Sequence, residues 1–394
     1  MIVKKIGGVD GARTLRQLGD RLRAVGYGPV TLREHLGIGF PDDVGLLNHA
    51  PAVERMRAAR TPIASAIRLF YLESREPQHG VRRLLPSGDQ DALRALGLLA
   101  ARTSGVQARL RLDAYGSAYL LADRRFAAAD GGALRLPAGD MVYPPGSDSA
   151  LLAEAVPARD GERVLDLCTG SGIQALAVAG RASAVIAVDV GVRAAALARL
   201  NAAMNGAVNV EVRSGDLFAP VAGERFDLIL ANPPFVPAPQ RGPAYHSGGP
   251  RGDRVLRRVM AGLGAHLREG GRAVVISHLA LRRGETVATA MRPWLARFPG
   301  RVLALVLETG TPIDLAAAQA LFALDDGFAG YAREVRRWVA YLEHHRIEQV
   351  VLLLIAAERS GRAELEVTEA FQRTLPLPLS QPPRVLVERW LGRT

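Results

Sequence analysis

The stretch "RVLDLCTGSGIQALAVAG" (163–180) decides the fold. Its first five residues have the apolar pattern of a buried strand, and its last eight have the pattern of an apolar helix. Between them lies a loop with Gly170 and Gly172, which permit tight turns and let the backbone approach a ligand closely. The loop does not match the G-x-G-x-x-G dinucleotide fingerprint, so the surrounding chain must identify the ligand.

Strand and helix patterns continue to alternate after this stretch, which predicts a mostly parallel sheet with helices on both faces. The further strands are predicted at 184–190, within 209–218, from 226, and at 272–280, 301–308 and 348–359. We therefore predict an α/β, Rossmann-like domain with a seven-stranded sheet over 141–360. A helical insertion is predicted at about 310–346 and a C-terminal extension at 361–394.

Residues 1–140 have a different pattern. Helical periodicity is present over 13–60, 62–72 and 91–102, and alternation around a Gly-Ser turn in 106–125 predicts a β-hairpin. We predict an N-terminal helical domain with a winged-helix-like hairpin and a role in substrate recognition.

The composition limits the class of protein. The chain has 394 residues, 48% of them hydrophobic, and a single cysteine. Its longest apolar run (350–357) is shorter than the roughly 20 residues that span a bilayer. We predict a cytoplasmic protein without a membrane partner. The net charge of +11 comes from scattered arginines and leaves nucleic acid open as a partner.

Two acidic residues follow the next strands. Asp189 ends the second strand, where a carboxylate can accept hydrogen bonds from the hydroxyls of an adenosine ribose. Asp216 follows the third strand and can accept from an adenine amino group, with Leu217 and Phe218 beside it for apolar contact. These spacings predict an adenosine ligand and leave open both a nicotinamide cofactor and S-adenosylmethionine.

The fourth strand ends in "NPPF" (232–235). Asn232 offers a neutral acceptor, and the two prolines preset the backbone carbonyls around it. Phe235 can stack on a flat group. Asn232, Pro233 and Phe235 are therefore candidate catalytic residues of a rigid clamp that aims a planar NH2 at a methyl donor. No metal site is predicted.

Together, "DLCTGSG", Asp189, "GDLF" and "NPPF" resemble the class I S-adenosylmethionine-dependent methyltransferases that carry an N-P-P-[YF] motif. The similarity is greatest to the release-factor and ribosomal-protein glutamine methyltransferases and their actinobacterial-type paralogues. The resemblance implies S-adenosylmethionine as the cofactor. It also implies contact with that cofactor for Asp166, Cys168, Gly170, Gly172, Asp189, Asp216, Leu217 and Asn232.

The resemblance adds two expectations outside the core motifs. Residues 141–156 precede the first strand as a donor-covering segment does in the glutamine enzymes, and we expect Ser147 and Ser149 to be helix caps. The glycine-rich residues 245–254 are a candidate lid, in which His246 is expected at the surface.

Three functions remain open at this stage. The favoured one is N-methylation of the side-chain amide of Gln or Asn in a protein or peptide, including a natural-product peptide. The second is methylation of a nucleic-acid amine, at guanine N2 or adenine N6. The third is a non-catalytic module that binds an adenosine ligand, and the set of Asp166, Asp189 and Asn232 argues against it.

Overall fold

The computed structural model describes residues 9–38, 44, 48–125, 141–237, 248–361, 364–369 and 382–392. The N-terminal part consists of six helices and two hairpins within these ranges. Its helices are α1 (Val9–Ala24), α2 (Pro29–Leu36), α3 (His49–Met56), α4 (Pro62–Ala66), α5 (Gln78–Leu84) and α6 (Ser87–Ala95), with a π-helical turn at Ile67–Tyr71. Its hairpins are β1 (Leu99–Arg102) with β2 (Gly105–Ala108), and β3 (Arg111–Tyr115) with β4 (Ala118–Ala122).

The hairpin β1–β2 corrects one expectation. The pattern over 91–102 predicts a continuous helix, but α6 ends at Ala95 and Gly97 adopts a φ of 79°. A positive φ is easily reached by glycine and stops the helix. Residues 99–102 then pair with β2 instead of continuing the helix. The predicted Gly-Ser turn lies between β3 and β4.

The second part alternates strands and helices. Its strands are β5 (Arg163–Leu167), β6 (Ala184–Asp189), β7 (Val210–Ser214), β8 (Phe226–Ala231), β9 (Leu267–Arg282), β10 (Gly300–Gly310), β11 (Ile347–Arg359) and β12 (Glu364–Glu369). Its helices are α7 (Ser147–Ala155), α8 (Ile173–Ala179), α9 (Val192–Met204), α10 (Arg254–His266), α11 (Val287–Leu295), α12 (Pro312–Ala320), α13 (Gly327–His344) and α14 (Pro383–Trp390). Short 3₁₀ turns lie at Ala219–Val221 and Leu321–Asp326.

These strands form one sheet in the order β12-β10-β11-β9-β8-β5-β6-β7. Only β11 runs antiparallel to its neighbours, so the predicted α/β, mostly parallel fold is confirmed. The described sheet has eight strands where seven are predicted, because β12 from the C-terminal segment pairs in parallel with β10.

Side chains of successive strand residues point to opposite faces, and both faces are covered. Leu165 and Leu167 pack in the cluster with α10 and α11, whereas Val164 packs in the cluster with α7, α8, α9 and α14. Helix α9 also faces the N-terminal part, where Leu197 and Leu200 join its apolar core. One helix therefore belongs to both cores.

Asn201 of α9 and Asn205, the C-cap residue of that helix, join the parts by pairing with the backbone of β4. Asn201 accepts from Leu121 N at 2.8 Å and donates to Leu121 O at 2.9 Å and Ser171 O at 2.8 Å. Asn205 makes the equivalent pair of bonds with Tyr119. Each side-chain amide thus pairs with one backbone N–H and one backbone C=O of β4, as a neighbouring strand would. No helix within the described residues is long and apolar enough to cross a membrane.

Replacing Asn201 with Ala should lower the free energy of unfolding by about 2–3 kcal/mol, because three buried backbone groups lose their partner. Urea denaturation measures this loss. Val192→Ala on the same helix is the control, since that side chain is 75% exposed and its loss should change stability by less than about 0.5 kcal/mol. Equal stability of Asn201→Ala and the wild type would contradict the interpretation.

Candidate active site

The strand order reverses between β5 and β8, and this switch point brings the predicted residues to one edge of the sheet. Leu167, the last residue of β5, lies opposite Ala231 of β8 and Val188 of β6. The loops that follow these three strands therefore begin side by side. Ligands of open α/β sheets bind in the crevice outside the carboxyl ends of the strands at such a point.

Asp166 is a buried carboxylate with one oxygen unsatisfied. Its Oδ2 accepts from Thr169 Oγ1 at 2.5 Å and from Ala175 N at 3.2 Å. Its Oδ1 is buried and has no hydrogen-bond partner among the described residues. Burial, with a smaller contribution from the charge of Asp189, raises the pKa of Asp166 to about 7. A cationic donor next to Oδ1 would stabilise the ionised form.

The loop after Asp166 is held by the second predicted carboxylate. Asp189 accepts from Gly170 N at 2.9 Å and from Gly191 N at 2.8 Å, one bond to each oxygen. Each oxygen keeps a lone pair that can accept from a ligand hydroxyl. Gly170 has a φ of 55°, and a Cβ placed there would meet nothing within 4 Å, so the loop borders open space.

Cys168 follows β5 and is influenced by the charges of three of the predicted cofactor-binding residues. Burial raises the pKa of its thiol, and the charges of Asp189, Asp166 and Asp216 raise it further. The thiol therefore stays protonated at neutral pH and is not poised as a nucleophile. Gly172 is the N-cap residue of α8 and has a φ of 89°, a backbone conformation that favours glycine.

Asp216 lies near the thiol but has a partner that sequence analysis missed. Arg258 from α10 donates to both of its carboxylate oxygens, at 3.1 and 2.7 Å. Leu217 next to it is buried and has a φ of 48°. The ring of Phe218 stacks on His266, with centroids 4.3 Å apart. An adenine contact by Asp216 would therefore be shared with Arg258.

The clamp after β8 is fixed by residues from α7. Asn232 Nδ2 donates to Asp148 Oδ2 at 2.7 Å and to Ser149 Oγ at 3.1 Å. The expectation that Ser147 and Ser149 cap this helix is wrong: Gly146 is the N-cap residue and no side chain caps it. Sequence analysis missed Asp148, although it lies in the segment that the motif pattern singled out.

The helical insertion packs against residues of the clamp. Pro233 and Val236 are buried, and the cluster around Val236 contains Phe235 together with Ala316 of α12 and Trp338 of α13. Tyr341 Oη donates to Pro250 O at 2.8 Å, which ties α13 to the described part of the candidate lid. The other part of that segment, with His246, lies outside the described residues.

A histidine of β9 supports the aromatic residue of the clamp. The ring centroids of Phe235 and His278 are 4.5 Å apart. Burial lowers the pKa of His278 to about 4, so this ring is neutral at pH 7. Among the described residues, no group of three or more His, Cys, Asp and Glu could hold a metal ion.

These features fit a cationic adenosine ligand. The unsatisfied Oδ1 of Asp166 suits an ammonium group, the lone pairs of Asp189 suit ribose hydroxyls, and the open space at Gly170 admits a ligand close to the backbone. S-Adenosylmethionine has all the groups that these residues can bind.

Comparison with known proteins identifies the family. The model of the methyltransferase small domain matches residues 146–292. The release factor glutamine methyltransferase of Xylella fastidiosa is 34% identical over 50% of this chain and 74% of its own length. The chain belongs to the glutamine methyltransferase family. The enzyme of the same name from Cereibacter sphaeroides is 32% identical over 53% of this chain and 85% of its own length.

Two further matches cover smaller parts. The ribosomal protein uL3 glutamine methyltransferase of Bradyrhizobium diazoefficiens is 38% identical over 28% of this chain and 39% of its own length. Residues 24–109 match a domain of unknown function (DUF7059). The prediction of a methyltransferase is confirmed, and membership of this family implies the use of S-adenosylmethionine. The chain is thus an enzyme, which sets aside the non-catalytic module.

Asp166→Asn should remove a pH dependence from the stability of the ligand-free enzyme. The pKa of Asp166 is about 7 in the folded protein against an ordinary 3.8, so the folded state keeps a proton that the unfolded chain releases. Its contribution to stability is therefore lost as the pH rises from about 4 to about 7. Between pH 5 and pH 8, the wild type should lose at least about 1 kcal/mol more than the variant.

Urea denaturation of both proteins at the two pH values measures this difference. His278 contributes with the opposite sign, because its pKa is lowered, but it is present in both proteins and cancels. Asp160→Asn is the matched control, since the Asp160 side chain is 83% exposed. Identical pH dependence in the wild type and Asp166→Asn would show that Asp166 ionises normally.

Proposed function

We propose that the enzyme transfers a methyl group from S-adenosylmethionine to the side-chain amide nitrogen of a glutamine in a protein or peptide. The orientation of Asn232 carries the proposal. Its NH2 group is engaged by Asp148 and Ser149, which leaves Oδ1 as an acceptor at the carboxyl end of β8, next to the glycine loop. The names of the relatives support glutamine as the acceptor residue.

The methyl donor would be bound by residues at the ends of β5 and β6. S-Adenosylmethionine, when bound, supplies an electrophilic methyl group on a sulfonium. Asp166 Oδ1 would accept from the amino group of its methionine part, and Asp189 from its ribose hydroxyls. The loop at Gly170 allows the close approach of the backbone. Asp216, with Leu217, is proposed to border the adenine.

The acceptor side has to overcome the low reactivity of an amide. The nitrogen lone pair of an amide is delocalised, so the nitrogen must be aligned with the methyl group to react. Asn232 Oδ1 would accept one N–H, and a backbone carbonyl near Pro233 would accept the other. Both acceptors also stabilise the positive charge that develops on nitrogen. The sulfur–methyl bond would break as the nitrogen–methyl bond forms, which leaves a neutral thioether, and one N–H proton would then pass to water. A carboxylate cannot donate to Oδ1, so the clamp would reject glutamate.

The helical insertion is proposed to contribute to acceptor recognition. Trp338 and Ala316 pack in one apolar cluster with Val236 and Phe235. The bond from Tyr341 to Pro250 extends this contact to the chain that follows the clamp. An acceptor that enters the clamp would therefore pass these helices. A recognition role of the N-terminal domain, a natural-product peptide as substrate and a cytoplasmic site of action remain predictions.

The positive net charge gives little support to a nucleic-acid acceptor. Many described arginines are neutralised by carboxylates, including Arg68 by Glu76, Arg193 by Asp123, Arg213 by Glu211, Arg272 by Glu162 and Arg301 by Glu358. RNA nevertheless belongs in the test, because an exocyclic amine offers the same planar NH2 to Asn232.

Transfer of tritiated methyl groups into separate protein, peptide and RNA pools tests the acceptor. We expect label in protein or peptide, with the methyl group on a glutamine side-chain nitrogen in mass fragmentation. Asn232→Ala should slow transfer by about 100-fold or more, the scale of losing one preorganised polar partner. Asn232→Asp should lose a similar amount of activity, because an oxygen would replace the NH2 that donates to Asp148 and two carboxylates would face each other. Label on RNA, or full activity of Asn232→Ala, would refute the proposal.

Calorimetry tests the donor site. S-Adenosylmethionine and its demethylated product should bind, and Asp189→Ala should weaken binding by about 1–3 kcal/mol, the scale of hydrogen bonds to a charged group. Asn232→Ala should leave the affinity within about twofold, which separates donor binding from the clamp. Tight binding of NAD without binding of S-adenosylmethionine would exclude this assignment.

A further inference from the structure

The first turn of α7 reaches across the sheet edge to the clamp. Asp148 and Ser149 both bond to the same nitrogen, Asn232 Nδ2, although they lie more than eighty residues before it. All three side chains are half-buried. These contacts join the segment before β5 to the residue that follows β8.

We propose that Asp148, assisted by Ser149, is a positioning residue of the methyl-transfer reaction. It fixes the amide of Asn232 in the orientation that accepts from a substrate NH2, and its charge polarises that amide. This inference rests on the proposed function, because it assigns Asp148 a part in the same clamp.

The orientation follows from what a carboxylate can do. An ionised aspartate only accepts hydrogen bonds, so the amide group that faces Asp148 must be the NH2. The carbonyl Oδ1 of Asn232 then points away from α7. Rotation of the amide by 180° would set two acceptors against each other and present an NH2 to the substrate NH2. Asp148 makes that wrong orientation unfavourable.

The polarisation follows from the same bond. A hydrogen bond to an ionised acceptor is about twice as strong as one between neutral groups. It draws the N–H of Asn232 toward the carboxylate and shifts electron density through the planar amide to Oδ1. Chains of hydrogen bonds strengthen one another in this way. Oδ1 would thus bind the developing cation on the substrate nitrogen more strongly than an unassisted amide would.

Two neighbouring elements hold the first turn of α7 in place. Gln174 Nε2, on the helix that follows the glycine loop, donates to Ser149 O at 3.0 Å. Tyr115 Oη, at the end of β3, donates to Ala150 O at 3.2 Å. Asp148 therefore presents its carboxylate from a backbone that is fixed on two sides.

A double-mutant cycle distinguishes action through Asn232 from independent action. Asp148→Asn keeps the size and one acceptor but loses the charge, and it should lower kcat about tenfold, the scale of outer-shell partners of ligating side chains. Asp148→Ala should lower it further. In the Asn232→Ala background, Asp148→Asn should have no added effect. An equal loss in both backgrounds, or no loss at all, would overturn the proposal.

The controls separate catalysis from folding. Affinity for S-adenosylhomocysteine should stay within twofold of the wild type in each Asp148 variant. Asp160→Asn changes an exposed carboxylate away from the clamp and should leave kcat unchanged. A fall of kcat with an equal fall of donor affinity in the Asp148 variants would mean that α7 is merely displaced.

Nuclear magnetic resonance tests the orientation without any acceptor. The chain has five asparagines, so labelling them with ¹⁵N gives five side-chain NH2 signals, and the Asn232 signal is the one absent from Asn232→Asp. Asn201, Asn205 and Asn209 donate to backbone carbonyls and are internal references. Asp148→Ala and Ser149→Ala, which add no asparagine, should each shift the Asn232 signal and leave these three in place.

An unmoved Asn232 signal in both variants would refute the contact. If the wild type methylates no acceptor, the proposed function fails together with the catalytic role of Asp148. The spectra then still decide whether Asp148 sets the orientation of the Asn232 amide.

Discussion

The parallel pairing of β5 with β8 is the constraint on which the site depends. Because Leu167 lies opposite Ala231, the glycine loop and the clamp begin on adjacent strands, about 4.8 Å apart. Strands β6 and β7 are added on one side of β5, and β8 and β9 on the other. The crossover that separates the two halves also creates the crevice between them. The residues proposed to bind the methyl donor and the methyl acceptor therefore lie close together, although they are far apart in the sequence.

The N-terminal part contributes to this edge instead of being a separate appendage. Asn201 donates both to Leu121 O of the hairpin and to Ser171 O of the glycine loop. Tyr115 at the end of β3 bonds to α7, which bonds to Asn232. The hairpin β3–β4 is thus linked to the loop beside Asp166 and to the clamp. A change in the packing of the N-terminal part would therefore alter both the glycine loop and the clamp.

Local patterns in the sequence predict the elements and the strand-end residues, because periodicity and loop chemistry are local properties. Asp166, Asp189 and Asn232 lie where those patterns place them. The bonds between Asp148 and Asn232, and between Arg258 and Asp216, join residues 84 and 42 positions apart, and no local pattern encodes them. Strand β12 is not predicted for a related reason. Its exposed, acidic sequence becomes a strand only through pairing with β10.

The charge of the crevice bears on which form of the cofactor would bind more strongly. Asp166, Asp189 and Asp216 all raise the pKa of Cys168, so they lie close enough to act on a common point. Arg258 offsets Asp216, whereas Asp166 and Asp189 have no described cation as a hydrogen-bond partner. Two uncompensated carboxylates attract a sulfonium donor more strongly than the neutral thioether left after transfer. Burial destabilises the ionised form of Asp166 in the free protein, so this carboxylate would be stabilised more by a cationic donor than by its neutral product.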